Sequence, residues 1–205
     1  MLTIALPKGR IAEETLDIFE TIFGNAFKFE SRKLILEMGA FRFLLVRNQD
    51  VPTYVAHQAA DIGVVGLDVI EEQGLDVVRL LDLGIGRCKV AVGIRNEDEL
   101  DWSKPQMKVA SKMVNITRNY FSKKAMGVEV IKLYGSIELA PLVGLADAIV
   151  DIVETGTTMK ENGLKVAETI MESSAHLIAN KHSFLAKKSE IMDLYTQMEK
   201  VVCGA

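Results

Sequence analysis

The sequence predicts an α/β protein folded as two lobes, and three observations carry that prediction. From residue 2 to residue 83, short apolar runs alternate with helical stretches, the pattern of strands and helices layered on a largely parallel sheet. The same alternation restarts after Gly84-Ile-Gly86 and runs to about residue 180. A closing stretch puts Leu185, Ile191, Leu194, Met198 and Val201 on one helical face, suited to packing back on the first lobe.

Each element has its own signal. An apolar strand over 2–6 stops at Pro7, and Ile11, Leu16, Ile18, Phe19, Ile22 and Phe23 then mark an amphipathic helix ended by Gly24-Asn25. Strands over 34–36 and 41–46 flank the turn Met38-Gly39-Ala40, followed by a helix over 51–59 and a strand over 62–65. Gly66-Leu67-Asp68 turns into a helix over 69–73, and 77–83 returns as a strand. In the second lobe a strand over 88–94 precedes a polar loop over 95–105. A strand over 107–110, a helix from Ser111 to about Met126 and a strand over 128–133 come next. A helix over 138–143, a strand over 148–150 running into Asp151, and strands over 166–171 and 176–180 complete the pattern. Two crossovers, near 84–88 and 173–181, define a double hinge. The expected lobes are 1–86 with 179–205, and 87–178, with a ligand cleft where strand ends and helix starts meet.

Bulk properties exclude several classes. The chain has 205 residues, 49% of them hydrophobic and 25% charged, enough to bury a real core. A net charge of -4 gives no basic footprint for nucleic acid. No apolar run is long enough to span a membrane, and the N-terminus lacks a secretory pattern. Cys88 and Cys203 lie far apart without metal-ligand spacing. A cytoplasmic protein is expected.

Glycine-bearing turns fall at the predicted strand ends, and the most informative is Asp151-Ile-Val-Glu-Thr-Gly-Thr-Thr158. A strand–turn–helix junction aims backbone N–H groups at one point, and the hydroxyls of Thr155, Thr157 and Thr158 add donors around Gly156. A phosphate monoester suits that cradle. Asp151 and Glu154 stand where a ribose diol or a Mg²⁺-bridged pyrophosphate could meet them. The bland alternative is a helix N-cap with an ordinary turn.

Lys8 and Arg10 flank Gly9 after the first strand, which fits a polyphosphate or a solvated basic turn equally. Asp68 is read either as a contact to base or ribose or as a cap on its helix. Arg32 and Arg47 sit in or beside strands, where a guanidinium could clamp a leaving phosphate or form a surface salt bridge. There is no Gly-x-x-x-x-Gly-Lys-Ser/Thr loop, and Gly84-Ile-Gly86 lacks the third glycine of a dinucleotide fingerprint. His57, His176 and His182 are scattered, and no nucleophile–base arrangement stands out. Phosphoribosyl transfer fits this inventory. Charge grows on the departing pyrophosphate, cations and Mg²⁺ stabilise it, and a ring nitrogen with a free lone pair needs no strong base.

Leu6-Pro-Lys-Gly-Arg10, Asp61-Ile-Gly-Val-Val-Gly-Leu-Asp68, Asp82-Leu-Gly-Ile-Gly-Arg-Cys88 and the block from Gly135-Ser-Ile-Glu138 through Met159 to Asn162-Gly-Leu164 occur in that order. Over nearly its whole length the sequence resembles the short form of the ATP phosphoribosyltransferase catalytic-subunit family, which opens histidine biosynthesis. The resemblance implies a fold similar to type II periplasmic binding proteins, with the active site in the cleft. It implies transfer of phosphoribosyl from phosphoribosyl pyrophosphate to N1 of ATP, with Mg²⁺ bound to substrate and no metal site of the protein's own. By position, it implies that Glu154, Thr155, Gly156, Thr157 and Thr158 hold the 5-phosphate, with Asp151 and Glu154 near the ribose. Arg32 and Arg47 would face the pyrophosphate, and Lys8, Gly9, Arg10 and Asp68 the region shared by pyrophosphate and ATP. The family further implies a homodimer alone and a hetero-octamer with a regulatory subunit similar to histidyl-tRNA synthetase, needed for inhibition by histidine. Competing readings are a type I phosphoribosyltransferase, which usually carries two adjacent acids before its Thr-rich turn, and a non-catalytic two-lobed solute receptor.

Overall fold

The computed structural model describes residues 1–30 and 32–204. It divides into two units, Met1–Gly86 joined by the segment from Ser174 onward, and Arg87–Ser173.

The first unit begins with β1 (Leu2–Pro7), α1 (Arg10–Phe23), β2 (Ile35–Met38) and β3 (Phe41–Val46). A 3₁₀ turn over Asn48–Asp50 leads to α2 (Val51–Ala56), β4 (Ile62–Gly66), α3 (Leu67–Gln73) and β5 (Val78–Asp82). After the second unit the chain returns with β11 (Ala175–Ala179), α7 (Lys181–Ala186) and α8 (Lys188–Cys203). The sheet runs β2-β3-β1-β4-β11-β5. Alternate residues of a strand point to opposite faces, so each face carries its own core. Ile4 and Leu6 join Phe19 of α1 and Ile191, Leu194 and Met198 of α8 on one face. Ala5 joins Val51 and Val55 of α2 and Val69 of α3 on the other. The Phe19 ring meets Phe43 at 5.0 Å and 84° and Phe41 at 5.2 Å and 85°. Such edge-to-face pairs add about 0.5–1.5 kcal/mol to the gain from burial.

The second unit comprises β6 (Cys88–Arg95), β7 (Gln106–Ser111), α4 (Val114–Lys123), β8 (Gly127–Lys132) and α5 (Leu139–Leu142), then β9 (Ala148–Val153), α6 (Thr157–Glu161) and β10 (Leu164–Ser173). Its sheet runs β10-β6-β9-β7-β8. Val90, Val92, Val109 and Val150 pack on Phe121 of α4 on one face, while Ala91, Ala110 and Ile149 pack on Ala140 and Met159 on the other.

Four expectations change. The sheets are mixed rather than largely parallel: β1 runs parallel to β3 and β4, and β7 to β8 and β9, but β2, β6, β10 and β11 pair antiparallel. Strands covered on both faces read as continuous apolar runs whichever way they point. Ser111 ends β7 instead of starting a helix, because its buried hydroxyl donates to the Val150 carbonyl at 2.7 Å and accepts from the Met113 N–H at 2.9 Å. β9 continues past Asp151, where the predicted strand ends, to Val153. The chain re-enters the first unit at Ser174 and not at 179, since β11 is inserted between β4 and β5.

Asn180 anchors the return. Its side-chain Oδ1 accepts the N–H groups of His182 and Ser183, capping α7, while its Nδ2 donates to the carbonyls of Val55 and Ala56 at the end of α2. Nearby, Lys187 Nζ lies 2.7 Å from Asp61 Oδ2, which also accepts the Thr3 N–H at 2.9 Å. Burial alone would push the Asp61 carboxyl up, but these donors hold it below the ordinary range. Among the described residues, no helix is long and apolar enough to cross a membrane.

Candidate active site

In the second unit, β7 and β9 are parallel, with Ser111 opposite Val150. Their C-terminal ends therefore open on the same edge, where open α/β sheets bind ligands. There the chain leaves β9 at Val153, turns through 154–156 and enters α6. Gly156 makes the turn at φ 80° and ψ -1° and caps α6, a left-handed conformation that an L side chain adopts only at a cost. The turn is stitched by its hydroxyls: Thr155 Oγ1 lies 2.9 Å from Thr157 Oγ1 and accepts the Thr157 N–H at 3.4 Å. A concavity of about 280 Å³ opens over it, lined by Glu138, Asp151 and the residues from Glu154 to Thr158. α6 is one turn long and carries little macrodipole, so attraction for an anion rests on local amides and hydroxyls.

Asp151 is a half-buried acid of this concavity, as is Glu138. Asp151 Oδ1 accepts the Ile152 N–H at 2.8 Å and lies 3.2 Å from Lys112 Nζ. Glu154 is exposed at the mouth. Lys112 escapes a sequence reading because a helix starting at Ser111 makes it one more surface cation. A Ser-Lys pair at a strand's exit is the signal that would have found it.

In the first unit the remaining candidates gather along one sheet edge. Pro7 pairs with Val46, and the Lys8 N–H donates to the Val46 carbonyl at 2.9 Å, so Lys8-Gly9-Arg10 and Arg47 leave adjacent parallel strands side by side. β2 is antiparallel to β3, and the Leu45 N–H donates to the Leu34 carbonyl at 2.8 Å. Arg32, entering β2, therefore lies at the same edge. Asp68 follows β4 there, buried within the first turn of α3 rather than at its cap, which is Gly66. Gly9 has φ 101° and ψ -155°, a conformation restricted almost entirely to glycine. Arg32 holds a left-handed φ of 64°, which costs a residue with a side chain about 1–2 kcal/mol.

The arginines differ in their partners. Arg42, Arg79 and Arg95 are ion-paired to Glu37, Glu71 and Asp98. Arg10 lies 3.4 Å from Glu14, whose other oxygen accepts the Gly86 N–H at 3.1 Å. Among the described residues, neither Arg32 nor Arg47 forms an ion pair. Each unit thus has one such C-terminal edge, that of the first rich in cations and that of the second in neutral donors with acids. Among the described residues, no three His, Cys, Asp or Glu side chains converge as a metal cage.

Comparison with known proteins supplies the family. The family model described as ATP phosphoribosyltransferase (HisG) matches residues 47–200. The ATP phosphoribosyltransferase of a Sulfurovum species is 73% identical over 202 residues, 98% of each chain. A solved chain of the ATP phosphoribosyl transferase (HisG:HisZ) complex from Thermotoga maritima superposes with a TM-score of 0.87 at 31% identity, covering 100% of both chains. The arginine-bound ArgBP of T. maritima, at 12% identity, covers 99% of this chain and 94% of its own with a TM-score of 0.60; it shares the two-lobed periplasmic-binding-protein fold alone. On this sequence and structural likeness, the chain belongs to the ATP phosphoribosyltransferase family.

Proposed function

We propose that the two edges divide the family's reaction between them. That reaction transfers phosphoribosyl from phosphoribosyl pyrophosphate to ATP, the first step of histidine biosynthesis. The turn Glu154-Thr155-Gly156-Thr157-Thr158 holds the 5-phosphate, and Asp151 and Glu154 accept hydrogen bonds from the ribose hydroxyls. Arg32 and Arg47 face the pyrophosphate, while Lys8, Gly9, Arg10 and Asp68 serve ATP and the pyrophosphate. Mg²⁺ arrives with the substrate's pyrophosphate, whose oxygens suit a hard cation.

The chemistry follows from these charges. The bond from ribose C1 to pyrophosphate breaks and its electron pair leaves with the pyrophosphate. The N1 lone pair of adenine forms the new C–N bond to a sugar with oxocarbenium character. Negative charge grows on the departing group, where a guanidinium lacking a protein carboxylate stabilises the transition state more than the ground state. The nucleophile carries its own lone pair, so no strong general base is required.

The observation that carries this reading is the left-handed Gly156 turn, with three threonines at the mouth of β9, above a half-buried carboxylate. Replacing Thr157 and Thr158 together by Val removes two hydroxyl donors with little change in volume. Affinity for phosphoribosyl pyrophosphate should fall about 10–100-fold while the fold stands; unchanged affinity by calorimetry would remove the assignment. A type I enzyme is disfavoured by the acids, since Asp151 and Glu154 are separated in sequence.

We infer that the chain works as a homodimer and assembles with a regulatory subunit, similar to histidyl-tRNA synthetase, into a hetero-octamer. The support is the likeness to a chain solved within a HisG:HisZ complex. Feedback inhibition by histidine then requires that subunit, and full inhibition of the purified chain alone in steady-state assays would refute it. A reducing, cytoplasmic setting fits Cys88 and Cys203, which are not joined in a disulfide.

A further inference from the structure

Two ion pairs hold their carboxylates out of water more than the other pairs described. Asp61 with Lys187 has 12% of its side chain exposed, and Asp151 with Lys112 has 15%. The first is scaffolding: Asp61 Oδ2 also accepts the Thr3 N–H, and its lysine reaches the Met1 carbonyl. The second is arranged otherwise.

Ser111 is fixed between β7 and β9 by its two buried hydrogen bonds, so the next residue, Lys112, leaves β7 in a set direction. Its ammonium lies 3.2 Å from Asp151 Oδ1, the same oxygen that accepts the Ile152 N–H. Among the described residues, no hydrogen bond reaches Asp151 Oδ2. Asp151 lines the concavity over the threonine turn, and Lys112 does not. One oxygen of a carboxylate that lines the cavity is thus engaged by a cation and an amide. An ion pair of this kind favours one rotamer of a carboxylate that would otherwise turn about χ1 and χ2.

We propose that Lys112 is the positioning residue of the ribose subsite: it holds the Asp151 carboxylate so that Oδ2 accepts a hydrogen bond from a sugar hydroxyl. This rests on the assignment of the adjacent turn to the 5-phosphate. Lys112 acts through Asp151 and touches neither phosphate nor sugar. Its charge also offsets that of Asp151, so the subsite recognises hydroxyls without adding net negative charge beside a bound phosphate.

The test separates sugar from phosphate by using ribose 5-phosphate and inorganic phosphate as calorimetric probes of the full chain. Lys112→Met should weaken ribose 5-phosphate about tenfold and leave inorganic phosphate unchanged. Lys112→Arg, which retains the cation, should restore binding to within about twofold. In steady state, Lys112→Met should raise KM for phosphoribosyl pyrophosphate and not KM for ATP. Wild-type ribose 5-phosphate affinity in Lys112→Met would overturn the proposal, and so would an equal loss for both probes, which marks collapse of the whole site. Thr157→Val with Thr158→Val should weaken both probes. If that variant binds both normally, the phosphate assignment fails; if it weakens both and Lys112→Met changes neither, only the positioning role fails. Thermal unfolding midpoints within about 2 °C of wild type would certify that each variant is folded.

Discussion

After β9 the second unit offers amides and threonine hydroxyls with the acids Glu138, Asp151 and Glu154 alongside; after β1 and β3 the first offers Lys8, Arg10, Arg32 and Arg47 near a buried Asp68. Both lie where parallel strands end, and both use glycine to turn the chain sharply. They differ in the charge they await. A phosphate monoester keeps its charge throughout a reaction, so fixed dipoles at set distances hold it well, and acids beside them select for hydroxyl donors. A leaving pyrophosphate gains charge as its bond breaks, and long cationic side chains not committed to a carboxylate can follow it. Topology therefore sets where each edge binds, and the choice between hydroxyl and guanidinium sets what happens there.

The sharpest way to break this contrast is to remove a cation from the first edge. Arg47→Ala or Arg32→Ala should lower kcat about 100-fold, with a smaller change in KM for phosphoribosyl pyrophosphate, if the guanidinium meets charge that develops during the reaction. Arg32→Gly refines the experiment, because it removes the guanidinium and also relieves the left-handed backbone. A variant with normal turnover and higher stability would make Arg32 a structural residue.

A middling effect is expected on the second edge. Gly156→Ala asks an L residue to adopt φ 80° and should destabilise the turn by about 1–2 kcal/mol. Affinity for phosphoribosyl pyrophosphate should fall while KM for ATP stays near wild type. An equal rise in both KM values would erase the division of labour between the edges.

The smallest effect, in stability alone, belongs to the scaffolding pair of the first unit. Asp61 has a lowered native pKa, so its contribution is fully present above its unfolded value of roughly 4. It is lost as pH falls through the lower native value. Asp61→Asn should cost about 1–3 kcal/mol at neutral pH, and the gap from wild type should close in strong acid. A gap that persists unchanged at pH 2 in denaturant titrations would place the effect in packing rather than charge.

The α/β character was legible because βα alternation, Gly punctuation and the amphipathic last helix agree with one another. Strand direction was not. β4 is buried along its whole length, and so is most of β6; an apolar run covered on both faces carries no mark of whether its neighbour runs with or against it. The threonine turn could be placed from sequence because glycine and hydroxyls cluster there visibly. Lys112 could not, since its importance depends on Ser111 remaining in the strand, and a serine before an amphipathic run looks like a helix start. Arg32 and Arg47 were visible as cations, but that neither has a carboxylate partner among the described residues emerges only from the structure.

The insertion of β11 between β4 and β5 bears on how this chain is made. Residues 87–173 are contiguous and can collapse as soon as they emerge from the ribosome. The sheet that precedes them in translation must wait for its missing central strand, with two neighbouring edges unsatisfied. A nascent chain arrested before Ser174 should therefore protect its later-made portion from protease while the earlier-made portion stays sensitive. Assembly of this molecule would then proceed in the reverse of reading order.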